Sequence, residues 1–338
     1  PEGSKQIDAE GNYVTPALMN SMTQLGLIEL FSVGETRDSS AGASGLGAAF
    51  DVQYGLNENS ILVDIARHEG LAWAVTLPDG GDGGFSGLGA ILHLSTEGGI
   101  LYQPRMGLVF NSGAAADGSR AAYWTELHQA LNAGTEAEAP VAEALAGDIP
   151  LIIKASRESD ILQALALRKE YGVRVILLGG EEAWRRAPEL AAADIPVILV
   201  PYASLPSSYD MIGARADNAA LLHEAGVKIA FCTDSIFISH NAGTAMCVGA
   251  GIAAAHGLDR RAALDAMTRN PAEIWGVSDE YGSLAPGKSA DIVIWSGDPL
   301  EALSRPIRIF ISGRSVDGLS RHQALRDTYH PKQGLSTK

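Results

Sequence analysis

Cysteine and positive charge are both scarce in this chain of 338 residues. Two cysteines, Cys232 and Cys247, give neither a disulfide framework nor a CxxC spacing, and their apolar neighbours indicate buried thiols. Lysine and arginine number 25 against 40 acidic residues, which leaves a formal net charge of −15. Because such a surface repels phosphate backbones, nucleic acid is excluded as a partner.

Long hydrophobic runs and several common motifs are also absent. No apolar run approaches the roughly 20 residues that cross a bilayer, so we expect a soluble protein of the cytoplasm or periplasm without a membrane span. The chain starts at Pro1 rather than a methionine, and we expect further residues upstream. No GxGxxG motif follows a first strand. Histidines without HxH or HxxxH spacing are predicted to be structural or solvated: His68, His93, His128, His223, His256, His322 and His330.

The second half of the chain shows a regular alternation of short apolar runs and helical patterns. Continuous apolar runs between helices are typical of parallel strands that are covered on both faces. This pattern predicts half a barrel or half a doubly wound sheet. The predicted strands are residues 149–154, 173–178, 196–202 and 227–233, and the predicted helices are residues 158–171, 181–193, 217–225 and 243–256.

The first half is less regular, and the C-terminal part changes character. A glycine-rich segment between Asp79 and Gly89 is predicted to be a mobile loop, and residues 135–143, rich in Ala, Glu and Pro, are predicted to be a linker. After Trp275 the pattern becomes a small β unit. Strands are predicted at residues 13–20, 72–77, 89–94, 106–110, 290–295 and 307–311, and helices at residues 60–69 and 119–131.

Three segments resemble the amidohydrolase superfamily, in the family's order. Residues 7–18 (IDAEGNYVTPAL) resemble the lead into the first barrel strand, and residues 228–234 (KIAFCTD) resemble the eighth strand. Residues 270–295, with the block GSLAPGKSADIVIW, resemble the closing helix and the return into a β-sandwich. The run PYASLPSSYDMIGAR at residues 201–215 and the pair His240-Asn241 are similar to the imidazolonepropionase-like branch.

The resemblance implies an α/β protein with a (β/α)8 TIM barrel and a small partial β-sandwich formed by the chain termini. We expect residues 1–12 to be the remnant of the N-terminal sandwich segment, residues 13–276 the barrel, and residues 277–338 the C-terminal sandwich segment and tail. A barrel of about 250 residues with a small accessory unit fits the chain length.

The family's zinc site is degenerate in this sequence. The resemblance implies a His-x-His pair after strand 1, a histidine at the ends of strands 5 and 6, and an aspartate at the end of strand 8. In this sequence Met22 and Gln24 stand where the His-x-His pair is expected. Lys154 stands at the end of strand 5, Leu178 or Gly179 at the end of strand 6, and Asp234 at the end of strand 8. Since a catalytic zinc site typically uses three protein ligands and a water, we predict no metal at the family position and no cofactor.

Three residues are candidates for catalysis. Asp234 is predicted to be a general base, or to form a structural ion pair with Lys154. Lys154 is either a base or Schiff-base nucleophile, or the partner in that salt bridge. His240 is a metal ligand, an acid or base, or a surface histidine of a loop.

Three further residues are candidates for substrate binding. Arg157 and Arg215 lie between predicted strands and helices and either hold a substrate carboxylate bidentately or form ordinary ion pairs at helix starts. Gln24 is assigned to the same role.

The sequence leaves three functions open. The resemblance implies hydrolysis of carbon–nitrogen bonds in small molecules such as cyclic amides or N-acyl amino acids. Because the usual metal ligands are missing, this activity is expected to be reduced, altered or lost. The alternative is an inactive barrel that binds a ligand or assembles, as a homo-oligomer or with an active homologue. A third hypothesis is metal-independent chemistry with Asp234 and Lys154.

Overall fold

The computed structural model describes residues 6–30, 32–79, 83–113, 118–233 and 240–329, and these form an α/β fold. The strands are β1 (Val14–Pro16), β2 (Leu18–Thr23), β3 (Leu71–Thr76), β4 (Gly84–Leu88), β5 (Ala90–His93), β6 (Leu101–Gln103), β7 (Leu108–Asn111), β8 (Leu151–Ala155), β9 (Val175–Gly179), β10 (Val197–Leu199), β11 (Ile229–Phe231), β12 (Ile292–Trp295), β13 (Pro306–Ile311) and β14 (Arg314–Ser315).

Helices cover these strands. They are α1 (Ile61–His68), α2 (Arg120–Asn132), α3 (Ala139–Ala146), α4 (Glu158–Tyr171), α5 (Ala187–Ala192), α6 (Asn218–Glu224), α7 (Ala242–Ala255), α8 (Arg260–Asp265), α9 (Arg269–Ile274) and α10 (Arg321–Tyr329). Short 3₁₀ turns lie at Gly34–Thr36, Gly42–Ser44, Gly47–Ala49, Val52–Gly55, Gly134–Glu136, Ala183–Arg186 and Tyr209–Met211. No helix in these described ranges combines the length and apolarity needed to span a membrane.

The largest sheet has the order β11-β10-β9-β8-β7-β4, with β7 to β11 parallel. Its strands are almost wholly buried, as the continuous apolar runs predicted. The predicted helix at residues 158–171 coincides with α4. This helix carries acidic residues in its first turn and basic residues in its last, and these charges interact favourably with the helix dipole. It ends at Gly172, which adopts the left-handed conformation.

A second sheet has the order β2-β3-β5-β6, and two connections join it to the first. β4 and β5 are successive parts of one bent segment with Gly89 at the corner. A Cβ atom at Gly89 would lie 2.4 Å from Leu77 Cδ2 and 3.1 Å from the Thr76 carbonyl oxygen, so any other residue here would displace the buried Leu77 side chain. At the other edge, Asn20 Nδ2 donates to Thr233 Oγ1 at 2.7 Å, and Thr233 N donates to Asn20 Oδ1 at 3.3 Å. No backbone ladder joins β2 to β11 within the described residues.

The structure corrects three predictions in the first half. Residues 13–20 are not one strand, because β1 and β2 belong to different sheets. The segment predicted to be a glycine-rich loop contains β4, which pairs antiparallel with β7; residues 80–82 lie outside the described ranges. Residues 135–143 are not a linker. They enter α3, because Pro140 is favourable in a first helical turn and Gly147 ends the helix in the left-handed region.

The terminal sheet has the order β1-β12-β13-β14 and is antiparallel throughout. Its junction with the second sheet is the fully buried carboxylate of Asp291. This carboxylate accepts hydrogen bonds from Trp73 Nε1 at 2.8 Å and from Ser312 N at 2.7 Å, and it pairs with His93 Nε2 at 3.2 Å. The structural role predicted for His93 is therefore confirmed.

Candidate functional site

Side chains from the carboxyl ends of several strands meet in a small cavity of about 30 Å³, which we call the niche. Met22 and Gln24 come from the end of β2, and Lys154 comes from the end of β8. β2 and β8 belong to different sheets, and their carboxyl ends meet at this cavity. The niche is lined by Met22, Thr23, Gln24, Leu77, Pro78, Asp79, Val109, Lys154 and Leu178.

A wider cavity of about 450 Å³, which we call the cleft, begins at three of these side chains. Met22, Lys154 and Leu178 line both cavities. The cleft is completed by Ser156, Gly179, Glu181, Val200, Tyr202, Ala203, Leu205, Ser207 and Met211. Its volume lies in the range of roughly 300–1,000 Å³ that is usual for sites that enclose small organic ligands.

Lys154 is the cation at the boundary between niche and cleft. Its backbone carbonyl accepts hydrogen bonds from Ser112 N at 3.1 Å and Ser112 Oγ at 2.9 Å, which fixes this end of β8. Within the ranges that the structure describes, its ammonium forms neither an ion pair nor a hydrogen bond. Asp234, its predicted partner and the predicted base, lies outside the described residues. The pairing of the two therefore stays a prediction.

The other predicted site residues are distributed unevenly. Gln24 lines the niche beside Lys154. His240 is partly buried two residues before α7 and is not among the residues that line the niche or the cleft.

Arg157 contacts an internal carboxylate that sequence reasoning had missed. Its Nη2 lies 2.7 Å from Asp210 Oδ1, and Asp210 also binds the guanidinium of Arg120. Arg120 Nε in turn lies 3.5 Å from Asp160 Oδ2, and Trp124 Nε1 donates to the other oxygen of Asp160 at 3.0 Å. Burial raises the pKa of Asp160, and the hydrogen bond from Trp124 and the charge of Arg120 offset only part of that rise. This cluster anchors the segment around Asp210 to α2 and α4.

Arg215 is held in a similar way. Its guanidinium forms a bidentate pair with Asp217, which precedes α6, and it stacks over the ring of Trp184 at 4.6 Å from the centroid. Neither Arg157 nor Arg215 lines the niche or the cleft, and both make the ion pairs near helix starts that the sequence left open as the alternative.

Asp210 anchors the loop at residues 201–216, which supplies one wall of the cleft, so Asp210→Ala is expected to loosen that loop. Removing one carboxylate leaves two partly buried arginines without a shared partner, which we expect to cost about 1–2 kcal/mol. The measurement is the rate of limited proteolysis within residues 201–216. Glu273→Ala, which removes a more exposed pair with Lys228 outside this loop, serves as the control. Equal cleavage rates in the two variants would contradict the anchoring role.

The niche donors that belong to the described residues do not fit a catalytic zinc ion. They are the thioether of Met22, the amide of Gln24 and the ammonium of Lys154, together with the Asp79 carboxylate, which lies 3.9 Å from Arg37. Zinc prefers imidazole, thiolate and carboxylate ligands, and an ammonium repels a cation. In the part of the chain that the structure describes, no three His, Cys, Asp or Glu side chains are grouped as a metal site would need.

Comparisons with known proteins agree with the fold and with the resemblance. The amidohydrolase family model matches residues 159–319. A crystal structure of an amidohydrolase from Thermotoga maritima superimposes with a TM-score of 0.82 at 22% identity, over 94% of this chain and 91% of that one. A prolidase complexed with N-methylphosphonate-L-proline superimposes with a TM-score of 0.55 at 16% identity, over 93% of this chain and 89% of that one.

A fungal protein supplies a further sequence match. The amidohydrolase tasK of Hapsidospora irregularis is 38% identical over 58 residues, which are 17% of this chain and 6% of that protein. The cavity at the strand ends and the parallel sheet define an α/β protein with a candidate small-molecule site. The amidohydrolase family model covers residues 159–319, somewhat less than half of the chain, and over the rest the likeness to solved structures shows the fold alone.

Proposed function

We propose that the chain is a hydrolase of carbon–nitrogen bonds in small molecules, built on a closed (β/α)8 barrel and working without the superfamily's metal site. The observation that carries the proposal is the position of Lys154, which lines both the niche and the cleft at the strand ends. The substrates are cyclic amides or N-acyl amino acids, and the resemblance favours the imidazolonepropionase-like branch.

Two features support a closed barrel. The Gly89 corner carries one chain segment from the second sheet into the first, so β5 and β4 together take one place in the ring. At the opposite edge, the reciprocal bonds between Asn20 and Thr233 bring β2 beside the end of β11. The ring then has eight members, in the order β2, β3, β5 with β4, β7, β8, β9, β10 and β11. The member formed by β5 and β4 runs antiparallel to the others.

The chemistry proposed for this site is the addition of water to an amide carbonyl. The Lys154 ammonium donates a hydrogen bond to the carbonyl oxygen and stabilises the negative charge that develops there. Asp234, at the predicted end of strand 8, takes a proton from the attacking water and passes it to the nitrogen. The carbon–nitrogen bond then breaks, and the products are a carboxylate and an amine. Gln24, in the niche, orients the carbonyl or the water through its amide.

A second function is favoured because the side chains at the niche are poor ligands for zinc. In that alternative the barrel is catalytically inactive and serves as a ligand-binding or assembly partner of an active homologue. A homologue that co-purifies stoichiometrically, with no turnover by the isolated chain, would support this alternative over hydrolysis.

Lys154→Met is expected to lower kcat by at least about 100-fold, the usual loss when one donor to a developing oxyanion is removed. The assay uses a panel of N-acyl amino acids and cyclic amides, with and without a chelator, alongside elemental analysis of the purified protein. Lys228→Met is the matched control, because Lys228 forms a surface pair with Glu273 at 2.8 Å. Turnover should survive chelation. Stoichiometric zinc whose removal abolishes turnover would overturn the metal-free mechanism.

A further inference from the structure

The two cavities that meet at Lys154 differ in size, and apolar surface predominates in both. The polar groups at the niche are the Lys154 ammonium, the Gln24 amide and the Asp79 carboxylate, which lies 3.9 Å from Arg37, and its 30 Å³ admits only a few atoms of a ligand. The cleft is lined mainly by apolar groups, among them Leu205 and Met211, and is large enough for an extended hydrocarbon segment. A ligand that satisfies both cavities has a small polar head and an apolar tail.

We propose that the site takes amphiphilic carboxylates and acyl compounds: an anionic or carbonyl head at Lys154, and an unbranched acyl tail in the cleft. This proposal rests on the proposed function, since it names the substrates as long-chain N-acyl compounds. Hydrolysis of such a substrate leaves a fatty carboxylate as the acyl product. That carboxylate pairs with the Lys154 ammonium in the place that the carbonyl oxygen held before.

The loop that forms one wall of the cleft supports the apolar tail. Leu205 lines the cleft yet is 77% exposed, and Tyr209 and Ile212, which follow it on the same loop, are 84% and 65% exposed. Large apolar side chains concentrated beside a cavity mark a surface that a ligand or partner covers. The pairs of Asp210 with Arg120 and Arg157 hold this loop in place, so the apolar wall is preformed rather than assembled on binding.

The charges around the cleft favour a ligand with an anionic head. Lys154 attracts a carboxylate at the niche end, where the nearby Asp79 carboxylate lies 3.9 Å from the guanidinium of Arg37.

Calorimetric titration of the full chain with monomeric alkyl probes tests the head and the tail separately. Dodecanoate is expected to bind at least about tenfold more tightly than octanoate, because each buried methylene contributes about 0.8 kcal/mol when fully enclosed. Dodecyltrimethylammonium, with the same tail and the opposite charge, is expected to bind at least about tenfold more weakly than dodecanoate. Equal affinity for the two head groups, or no dependence on tail length, would overturn the proposal.

Two variants with controls assign these effects to the cleft. Lys154→Met should weaken dodecanoate at least about tenfold, while Lys228→Met leaves it unchanged. Leu205→Asp should remove the advantage of dodecanoate over octanoate, whereas Leu303→Asp should not, since Leu303 is 87% exposed and lies outside the cleft. Loss of binding in both control variants as well would overturn the assignment to this site.

The same preparations separate this inference from the proposed function. Dodecanoate binding without turnover of an N-dodecanoyl amino acid would leave the ligand assignment standing and overturn the hydrolase. Turnover of N-acetyl amino acids without dodecanoate binding would overturn the ligand assignment and leave the hydrolase standing.

Discussion

Asp291→Ala is expected to lower the free energy of unfolding by about 3–5 kcal/mol, the usual cost of removing one partner from a buried charged network. The Asp291 carboxylate is fully buried and joins Trp73 of the second sheet to Ser312 of the terminal sheet. The substitution leaves the indole N–H and the Ser312 amide without acceptors, and it leaves a cavity at the junction of the sheets. Urea denaturation at pH 7 measures the loss.

Asp291→Asn is the matched variant that keeps the volume and removes the charge. One carboxylate oxygen becomes an amide group, which must face either the Ser312 N–H or the Trp73 N–H, both of them donors. We expect a loss of about 1–3 kcal/mol. Stabilities of both variants within 0.5 kcal/mol of the parent, a threshold set at about the usual surface effect, would show that Asp291 does not hold the sheets together.

The Asp291 carboxylate also makes the stability of the parent protein depend on pH in the acidic range. Burial raises the pKa of Asp291, but the hydrogen bonds from His93, Ser312 N and Trp73 outweigh it, so the net pKa lies below its ordinary value. A lowered folded-state pKa contributes stability above the unfolded value of about 3.9, and this is lost as pH falls through the folded pKa. Stability measured from pH 5 to pH 3 should therefore fall less steeply in Asp291→Asn than in the parent.

Three histidines placed at the niche are expected to create a zinc site. Met22 and Gln24 are two residues apart near the end of β2, and both line the niche with Lys154. The triple variant Met22→His, Gln24→His and Lys154→His supplies three imidazoles and removes the repelling ammonium. Since three protein ligands and a water suffice for a tetrahedral site, zinc affinity should rise at least about 100-fold over the parent.

Competition with a chelating dye and elemental analysis after gel filtration measure this affinity. The matched control carries the same first two histidines with Lys228→His, because Lys228 pairs with Glu273 at the surface and does not line the niche. Equal zinc affinity in the two triple variants would mean that residues 22, 24 and 154 do not converge as the structure places them.

Much of the fold could be predicted because the parallel strands are buried and continuous. The runs at residues 149–154 and 173–178 and the helix at residues 158–171 leave patterns that depend only on neighbouring residues. The first half was harder, because β4 has two glycines in five residues and the chain turns a corner at Gly89. The signal of β4 was mistaken for that of a loop, since glycine is common in both.

For the site, the resemblance placed Met22, Gln24 and Lys154 after predicted barrel strands, whose carboxyl ends lie at one face, and all three line the niche. The partners of Arg157 and Arg215 were decided only by the tertiary structure. Asp210 lies 53 residues after Arg157 in the chain, and no local sequence pattern indicates that the two side chains form an ion pair. The apolar wall of the cleft was likewise decided by folding, because that wall exists only where the anchored loop lies beside the ends of β8 and β9.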